Sequence, residues 1–114
     1  MIVDDEVDLV EAMRFRFEQE GWTTVAAHCG CDAIETLSAG DPPALVIMDY
    51  QLPDMTGVEV CSKLRATRDL AATPIVLLTA HGDSQVELEA KRAGFDDVLL
   101  KPMSVTDLIA RVGG

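Results

Sequence analysis

Short apolar runs alternate along the chain with longer segments in which apolar residues recur at helical spacing. The runs predict five β-strands, at Met1–Val3, Trp22–Ala26, Ala44–Met48, Pro74–Thr79 and Asp97–Leu100. The third and fourth runs are almost wholly apolar, which is typical of strands buried on both faces of a sheet. The first run is short for a strand, so we expect the first strand to be truncated.

The segments between these runs predict five helices, of which the first runs from Glu6 to Glu20 and ends at Gly21. In each helix, apolar residues spaced three or four apart form the face expected to meet the core. These residues are, helix by helix, Leu9, Val10, Met13 and Phe17; Ala33, Ile34 and Leu37; Val58, Cys61 and Leu64; Val86, Leu88, Ala90 and Ala93; and Val105, Leu108, Ile109 and Val112.

Two helices begin with the spacing of a capping box, Thr56 with Glu59 and Ser84 with Glu87. The fourth helix has the weakest apolar stripe, so we expect it to be the most loosely held. The last helix stops early for one that packs along a whole sheet, and we expect it to be truncated.

Five strands alternating with five helices predict a parallel sheet with helices on both faces. A chain of 114 residues has the size of one domain, so we expect residues 1–114 to form a single α/β domain. Apolar residues make up 48% of the chain, which suffices for a packed core and argues against disorder.

The chain is strongly acidic, with a formal net charge of −11 at pH 7. This charge argues against direct nucleic-acid binding and favours a divalent cation or a basic partner. For any one carboxylate, a solvated surface charge is the simpler interpretation. We expect neither a membrane segment, which needs roughly 20 apolar residues, nor a signal peptide, because acidic residues follow Val3 at once.

The three cysteines lack the spacing of a disulfide framework and favour reduced thiols in a cytoplasmic protein. Cys29 and Cys31 could form half of a metal site with His28. No second cysteine pair accompanies them, so we do not expect a metal there. We expect Cys61 to be a small core residue.

Polar residues stand where four of the predicted strands end. Asp4 and Asp5 follow the first strand, Asp49 follows the third, Thr79 ends the fourth and Lys101 follows the fifth. In a parallel sheet these ends share one edge, where open α/β sheets bind ligands. One such residue alone would be a cap or a surface charge, but their coincidence predicts a functional site.

The residue types at this edge favour phosphoryl transfer. Clustered carboxylates repel one another unless a cation neutralises them, and Mg²⁺ prefers oxygen ligands and accepts phosphate oxygens. Asp49 could then act as the nucleophile that forms an aspartyl phosphate, with Lys101 neutralising the transferred oxygens. The Thr79 hydroxyl and the backbone N–H of Ala80 could hydrogen-bond the same oxygens. A carboxylate nucleophile needs no separate general base.

Four stretches together resemble a response-regulator receiver domain, the phosphoacceptor of two-component signalling. They are VDDE at 3–6, VIMDYQLPDMTG at 46–57, LLTA at 77–80 and GFDDVLLKP at 94–102, in the family's order and spanning almost the whole chain. A lone Lys-Pro or Thr-Ala pair would carry no information, whereas the set with these spacings is specific. The resemblance implies a flavodoxin-like, doubly wound sheet of order 2-1-3-4-5.

The resemblance also implies a metal site and a phosphorylation site. Asp49 would be phosphorylated, and Asp5 and Asp49 would bind Mg²⁺ directly with the backbone carbonyl of Gln51. Asp4 would act on the ion through a water molecule.

A conformational switch is implied in the same way. Thr79 would be the switch hydroxyl and Lys101 the partner of the phosphoryl group, with a cis peptide bond expected between Lys101 and Pro102. The family usually carries an aromatic residue at the position of Val98. Without it, signalling would depend on Thr79 moving the loop 81–83 and the fourth helix.

His81 lies two residues past Thr79, at the rim of the expected site. One interpretation is a solvated loop histidine. The other is that His81, with Gln51 across the site, tunes the attack of water on the phosphoryl group.

The resemblance implies a sensor histidine kinase or a phosphotransfer protein as the donor, and a phosphoacceptor rather than an enzyme. An attached output domain is an expectation from the family, and a homodimer through the fourth helix, fifth strand and last helix is another. A phosphorylation-independent interaction module is an alternative, favoured by Val98. A small flavodoxin-like ligand binder or enzyme is less favoured, because the acidic site would repel an anionic cofactor.

Overall fold

The computed structural model describes residues 1–39, 42–67, 73–80, 83–101 and 104–113, along which strands and helices alternate. The strands are β1 (Ile2–Val3), β2 (Ala26–Ala27), β3 (Val46–Asp49), β4 (Ile75–Thr79) and β5 (Asp97–Leu100). The helices are α1 (Val7–Gln19), α2 (Gly30–Ser38), α3 (Gly57–Thr67), α4 (Ser84–Ala93) and α5 (Val105–Gly113).

The five strands form one parallel sheet in the order β2-β1-β3-β4-β5. This confirms the predicted α/β class and the flavodoxin-like strand order. β3 is central, with β1 on one side and β4 on the other. In this register Asp49 lies opposite Leu78, and Thr79 lies opposite Leu100, so the strand ends share one edge.

The sheet separates two apolar clusters, because successive residues of a strand point to opposite faces. Val46 and Met48 of β3 pack with residues of α2, α3 and α4, whereas Ile47 packs with residues of α1 and α5. All three side chains are at most 2% exposed. Burial on both faces is the reason that β3 has no alternation of polar and apolar residues.

The second strand is shorter than the predicted Trp22–Ala26 and comprises only Ala26–Ala27. The residues before it pack against α1 instead. The Trp22 ring meets Phe17 edge-on, with ring centroids 5.5 Å apart, and the Thr24 hydroxyl hydrogen-bonds side chains of the same helix. Trp22 and Thr24 thus contact the helix, whereas the carbonyl oxygen of Val25 accepts the N–H of Ile2 on β1 at 2.9 Å. The predicted start of the strand at Trp22 was wrong.

In α3 the buried stripe differs by one position from the predicted one. Val60, Cys61 and Leu64 are fully buried, whereas Val58 is only partly buried. The buried residues fall at i, i+3, i+4 and i+7 once Gly57 is counted as the first of them. A glycine has no apolar side chain, so the pattern did not reveal it.

α4 also differs from its prediction in two respects. Leu88 is 48% exposed, because it lies roughly 200° around the helix from Val86, which is buried. The helix is capped by Asp83 rather than Ser84: a carboxylate oxygen of Asp83 accepts the N–H of Val86 at 2.9 Å. Gly94, in the left-handed region with φ of 104°, ends the helix.

Leu64 and Leu88 are both predicted from the sequence to face the core, but their substitution by alanine should affect stability differently. Leu64→Ala should lower the free energy of unfolding by about 3 kcal/mol, because it leaves a cavity in a fully buried stripe. Leu88→Ala should change it by less than about 0.5 kcal/mol, because that side chain is largely solvated. Urea unfolding followed by circular dichroism measures both, and equal losses would contradict the assigned helix faces.

Candidate functional site

The parallel register brings the polar strand-end residues to one edge of the sheet. Asp4 and Asp5 follow β1, Asp49 ends β3, Thr79 ends β4 and Lys101 follows β5. β3 pairs with both β1 and β4, and β4 pairs with β5, so residues from distant parts of the sequence become neighbours.

The ammonium group of Lys101 lies between two carboxylates. Its Nζ is 3.0 Å from Oδ2 of Asp4 and 3.1 Å from Oδ1 of Asp49, and Oε1 of Glu6 is 3.8 Å away. The backbone N–H of Lys101 donates to the carbonyl oxygen of Thr79 at 2.7 Å, which fixes the base of the side chain. Burial alone would lower the pKa of Lys101, but its hydrogen bonds to Asp4 and Asp49 outweigh this and raise the pKa.

Asp4 is held on both sides of its carboxylate. It is 1% exposed. Its Oδ1 accepts the backbone N–H of Glu6 and its Oδ2 accepts the ammonium of Lys101, each at 3.0 Å. The backbone oxygen of Asp4 lies 3.0 Å from Nδ1 of His28. Both carboxylate oxygens of Asp4 therefore already have protein partners.

The negative charge of the Asp49 carboxylate is only partly neutralised by its surroundings. It is 9% exposed. Burial raises the pKa of Asp49, the charge of Asp4 raises it further, and hydrogen bonding to Lys101 only partly offsets both effects. An additional cation would relieve this excess charge.

The carboxylates of Asp4, Asp5 and Asp49 fit a divalent cation. One oxygen of each can be chosen so that all three lie within 4.8 Å of one another, and Asp5 is exposed to solvent. Oxygen ligands together with access for water are the environment that hard divalent cations prefer. Within the described ranges no cluster of this kind includes Cys29, whose sulfur accepts the N–H of Asp32 as a helix cap.

The loop after β3 turns sharply beneath Asp49. The N–H of Gly57 donates to the carbonyl oxygen of Tyr50 at 2.7 Å, and Gln51 forms an antiparallel bridge with Thr56. A Cβ atom at Gly57 would collide with the backbone oxygen of Asp49. Glycine at this position therefore lets α3 begin directly against the strand that carries Asp49.

Asp54 ties the same loop to the start of α2. Its two carboxylate oxygens accept the backbone N–H groups of Gly30 at 2.7 Å and of Cys31 at 2.8 Å. These hydrogen bonds, first from Cys31 and then from Gly30, hold the pKa of Asp54 at about 2. The carboxylate satisfies N–H groups that a helix start leaves without intrahelical partners.

A cleft of about 150 Å³ opens beside Asp49. Thr79, at its base, is fully buried, and Gln51 and Ala80 are exposed at its rim. The backbone roles expected of Gln51 and Ala80 remain predictions. His81 and Pro102, and with them the cis peptide bond expected before Pro102, lie outside the described residues. The cleft is lined by Glu6, Asp49, Tyr50, Gln51, Thr79, Ala80 and Lys101.

Sequence reasoning missed three residues at or beside this site: Glu6, Tyr50 and Asp54. Glu6 and Tyr50 directly follow predicted site residues, so their position in the sequence was the available signal. Nothing in the sequence links Asp54 to α2, because the two residues that it binds lie 24 and 23 positions away.

A family model described as the response regulator receiver domain matches residues 1–113. The chain belongs to the response-regulator receiver family. This confirms the resemblance seen in the sequence. In the described part of this receiver domain, no helix combines the length and the apolar character needed to cross a membrane.

Individual relatives agree with the family match. The chain is 33% identical to the transcriptional regulatory protein KdpE of Mycobacterium tuberculosis and 37% identical to the response regulator MprA of Mycobacterium ulcerans, each over 98% of the chain. It spans about half the length of these relatives, 48% and 47%. The chemotaxis protein CheY4 of Vibrio cholerae shares the fold, with a TM-score of 0.91, 24% identity and coverage of 98% of this chain and 92% of that one.

Removing the charge of Asp49 should stabilise the receiver domain when no divalent cation is present. We expect Asp49→Asn to raise the melting temperature at pH 7 in EDTA, because the buried carboxylate beside Asp4 becomes neutral. The gain should shrink as the pH falls through the raised pKa of Asp49, since protonation then removes the same charge in the wild type. Glu35→Gln, an equal charge change at an exposed site, should leave the melting temperature nearly unchanged. A lower melting temperature for Asp49→Asn would contradict the claim that the charge of Asp49 is incompletely neutralised in the folded domain.

The contact from Asp54 to α2 should be lost in acid. Its pKa of about 2 lies below the usual 3.8, so its stabilisation is complete above about pH 4 and is lost as the pH falls through about 2. We expect Asp54→Asn to lower the melting temperature at pH 7. The difference in melting temperature between wild type and variant should narrow as the pH falls from about 4 to about 2. Thermal unfolding across this pH range measures it, and a difference independent of pH would argue against the charged contact.

Proposed function

We propose that this receiver domain is the phosphoacceptor of a two-component phosphorelay and that Asp49 receives the phosphoryl group. The arrangement around Asp49 carries the proposal. Its carboxylate is 3.1 Å from the Lys101 ammonium and shares a cluster within 4.8 Å with the carboxylates of Asp4 and Asp5. The site thus combines a nucleophile, a fixed positive charge and oxygen ligands for a cation.

Asp49 is the nucleophile of the proposed reaction. One carboxylate oxygen attacks the phosphorus of a phosphohistidine, an O–P bond forms, and the bond from phosphorus to the imidazole nitrogen breaks. The leaving nitrogen keeps the bonding electron pair, and the imidazole takes up a proton from solvent. Positioning and charge neutralisation account for most of the catalysis in such transfers.

Lys101 and the end of β4 stabilise the transferred oxygens. The Lys101 ammonium already contacts Asp49, so it stands beside the position that the phosphoryl group would occupy. The Thr79 hydroxyl and the Ala80 N–H donate hydrogen bonds to the other oxygens in this proposal, since both residues line the cleft.

Mg²⁺ is the cation that we propose for the carboxylate cluster. Asp5 and Asp49 would bind it directly with the backbone carbonyl of Gln51. Asp4 would act through water, in keeping with the hydrogen bonds that both of its oxygens already accept. When bound, Mg²⁺ supplies positive charge that neutralises the transferred oxygens and aligns them with the nucleophile.

We propose that the domain is cytoplasmic and that its phosphoryl donor is a sensor histidine kinase or a phosphotransfer protein. The family match and the relatives named as response regulators support this choice. The domain then acts as a phosphoacceptor rather than an enzyme with turnover. The relatives are about twice as long, and KdpE is named as a transcriptional regulator, which supports an output domain as the recipient of the signal. A homodimer through α4, β5 and α5 is the second route that we propose for output.

A phosphorylation-independent interaction module is the competing function. It is favoured by Val98, a partly buried aliphatic side chain where the family usually has an aromatic one. Such a module would keep the fold and the acidic site but would bind its partner constitutively.

Incubation with acetyl phosphate and Mg²⁺ separates the two functions. We expect wild type to gain the mass of one phosphoryl group and Asp49→Asn to gain none, because the variant lacks the nucleophile. Intact-protein mass spectrometry measures the adduct. Addition of EDTA should abolish it, since the carboxylate cluster then lacks the cation.

Glu35→Gln serves as the control, because it removes one exposed carboxylate that does not line the cleft. It should be labelled like the wild type. An unlabelled wild type would instead support the interaction module, and equal labelling of Asp49→Asn would show that another residue is the acceptor.

A further inference from the structure

The backbone of Tyr50, which directly follows Asp49, is fixed on both sides. Its N–H lies 3.3 Å from the carbonyl oxygen of Leu78 on β4. Its carbonyl oxygen accepts the N–H of Gly57, the first residue of α3, at 2.7 Å. The backbone on either side of the Tyr50 side chain is therefore held by β4 and α3, directly beside Asp49.

The side chain of Tyr50 extends from this peptide group to α4. Its ring is partly buried against the apolar cluster of α2, α3 and α4, and it lines the cleft beside Asp49. The hydroxyl faces Oε2 of Glu89 on α4 at 3.5 Å, a weak hydrogen bond that is longer than the usual O–H···O range of about 2.5–3.0 Å. A phenol is protonated at neutral pH, so the hydroxyl is available as a donor.

Among the five aromatic residues of the chain, all of which are described, Tyr50 is the one that lines this cleft. Phe17 and Trp22 pack against each other in the cluster on the opposite face of the sheet. Phe95 is buried beyond the C-terminal end of α4, and Phe15 is 63% exposed on α1.

Val98 cannot make the same connection from β5. It is partly buried against the same cluster as Tyr50. Its β-branched side chain is restricted at χ1 and has no polar atom with which to exchange hydrogen-bond partners. A connection between Asp49 and α4 through an aromatic ring must therefore come from another residue.

α4 is anchored at its C-terminal end. The Cys61 thiol of α3 donates to the carbonyl oxygen of Ala93 at 3.3 Å, and Nη2 of Arg65 donates to that of Gly94 at 2.9 Å. The tyrosine hydroxyl meets the helix about one turn earlier, at Glu89. This contact is thus suited to hold the half of α4 that lies before the anchored end.

We propose that Tyr50 is a positioning residue that couples the state of Asp49 to α4 through its hydrogen bond to Glu89. This inference rests on the proposed phosphorylation of Asp49. The phosphoryl oxygens of an aspartyl phosphate are strong hydrogen-bond acceptors beside Tyr50, and the tyrosine hydroxyl exchanges the Glu89 carboxylate for one of them. The hydrogen bond to Glu89 is then lost, and the first half of α4 opens more readily.

Hydrogen exchange of α4 tests the coupling, with Mg²⁺ and beryllofluoride as a mimic of the aspartyl phosphate. In wild type we expect the probe to speed amide exchange in the first two turns of α4 by roughly two- to tenfold, the effect of losing one hydrogen bond. Tyr50→Phe keeps the ring but lacks the hydroxyl. Its exchange should already be fast without the probe, and the probe should add less than about twofold.

Two variants on α4 distinguish coupling from a general loss of helix stability. Glu89→Ala removes the acceptor and should behave like Tyr50→Phe. Glu87→Ala removes an equal charge from an exposed position of the same helix and should respond to the probe as the wild type does. A full response in Tyr50→Phe, or no response of α4 in wild type, would overturn the coupling.

Labelling with acetyl phosphate separates this inference from the function on which it rests. Glu89→Ala should be phosphorylated as the wild type is, since Glu89 lies on α4 and does not line the cleft beside Asp49. If both are labelled while α4 responds equally in both, the coupling fails and the phosphoacceptor function stands. If the wild type is not labelled, the phosphoacceptor function fails and the coupling fails with it.

Discussion

The two ion pairs that Lys101 makes with Asp4 and Asp49 are the interaction on which the site depends. Both carboxylates are largely removed from water, and such burial is costly unless a charge partner and hydrogen bonds compensate. The partners follow β1, end β3 and follow β5, so the parallel pairing from β1 through β3 and β4 to β5 is needed to assemble them. One ammonium cannot neutralise the cluster once Asp5 is included, and the remaining charge makes this edge of the sheet suitable for a cation.

The surroundings of Asp49 divide into a firmly held side and a weakly held side. On one side, Asp54 binds two N–H groups of α2 and Gly57 starts α3 directly against β3. On the other side, the Tyr50 hydroxyl reaches Glu89 of α4 over 3.5 Å, and this helix buries mainly small side chains. A change at Asp49 would therefore act more readily on α4 than on α2 or α3, because weakly packed elements open at low free-energy cost.

The errors in the predicted elements share a physical origin. Trp22 and Thr24 suit a strand by composition, but α1 lies close enough to bind their side chains. Leu88 is apolar like its neighbours, but the rotation of α4 on the sheet leaves it in solvent. Asp83 rather than Ser84 caps α4, since either side chain can cap a helix and the position of the first turn decides between them. The local sequence pattern predicts whether an element is a helix or a strand better than it predicts where the element ends or which face is buried.

By itself the sequence determined the order of strands and helices, the fold class and the residues that end the strands, because apolar periodicity and strand-end position are local properties. It also placed Asp49 and Lys101 on a common edge through the rule for parallel sheets. Only the tertiary structure decided which atoms meet: that Lys101 bridges Asp4 and Asp49, and that Tyr50 reaches α4. These contacts depend on side-chain direction and helix rotation, which are settled by packing between segments far apart in the chain.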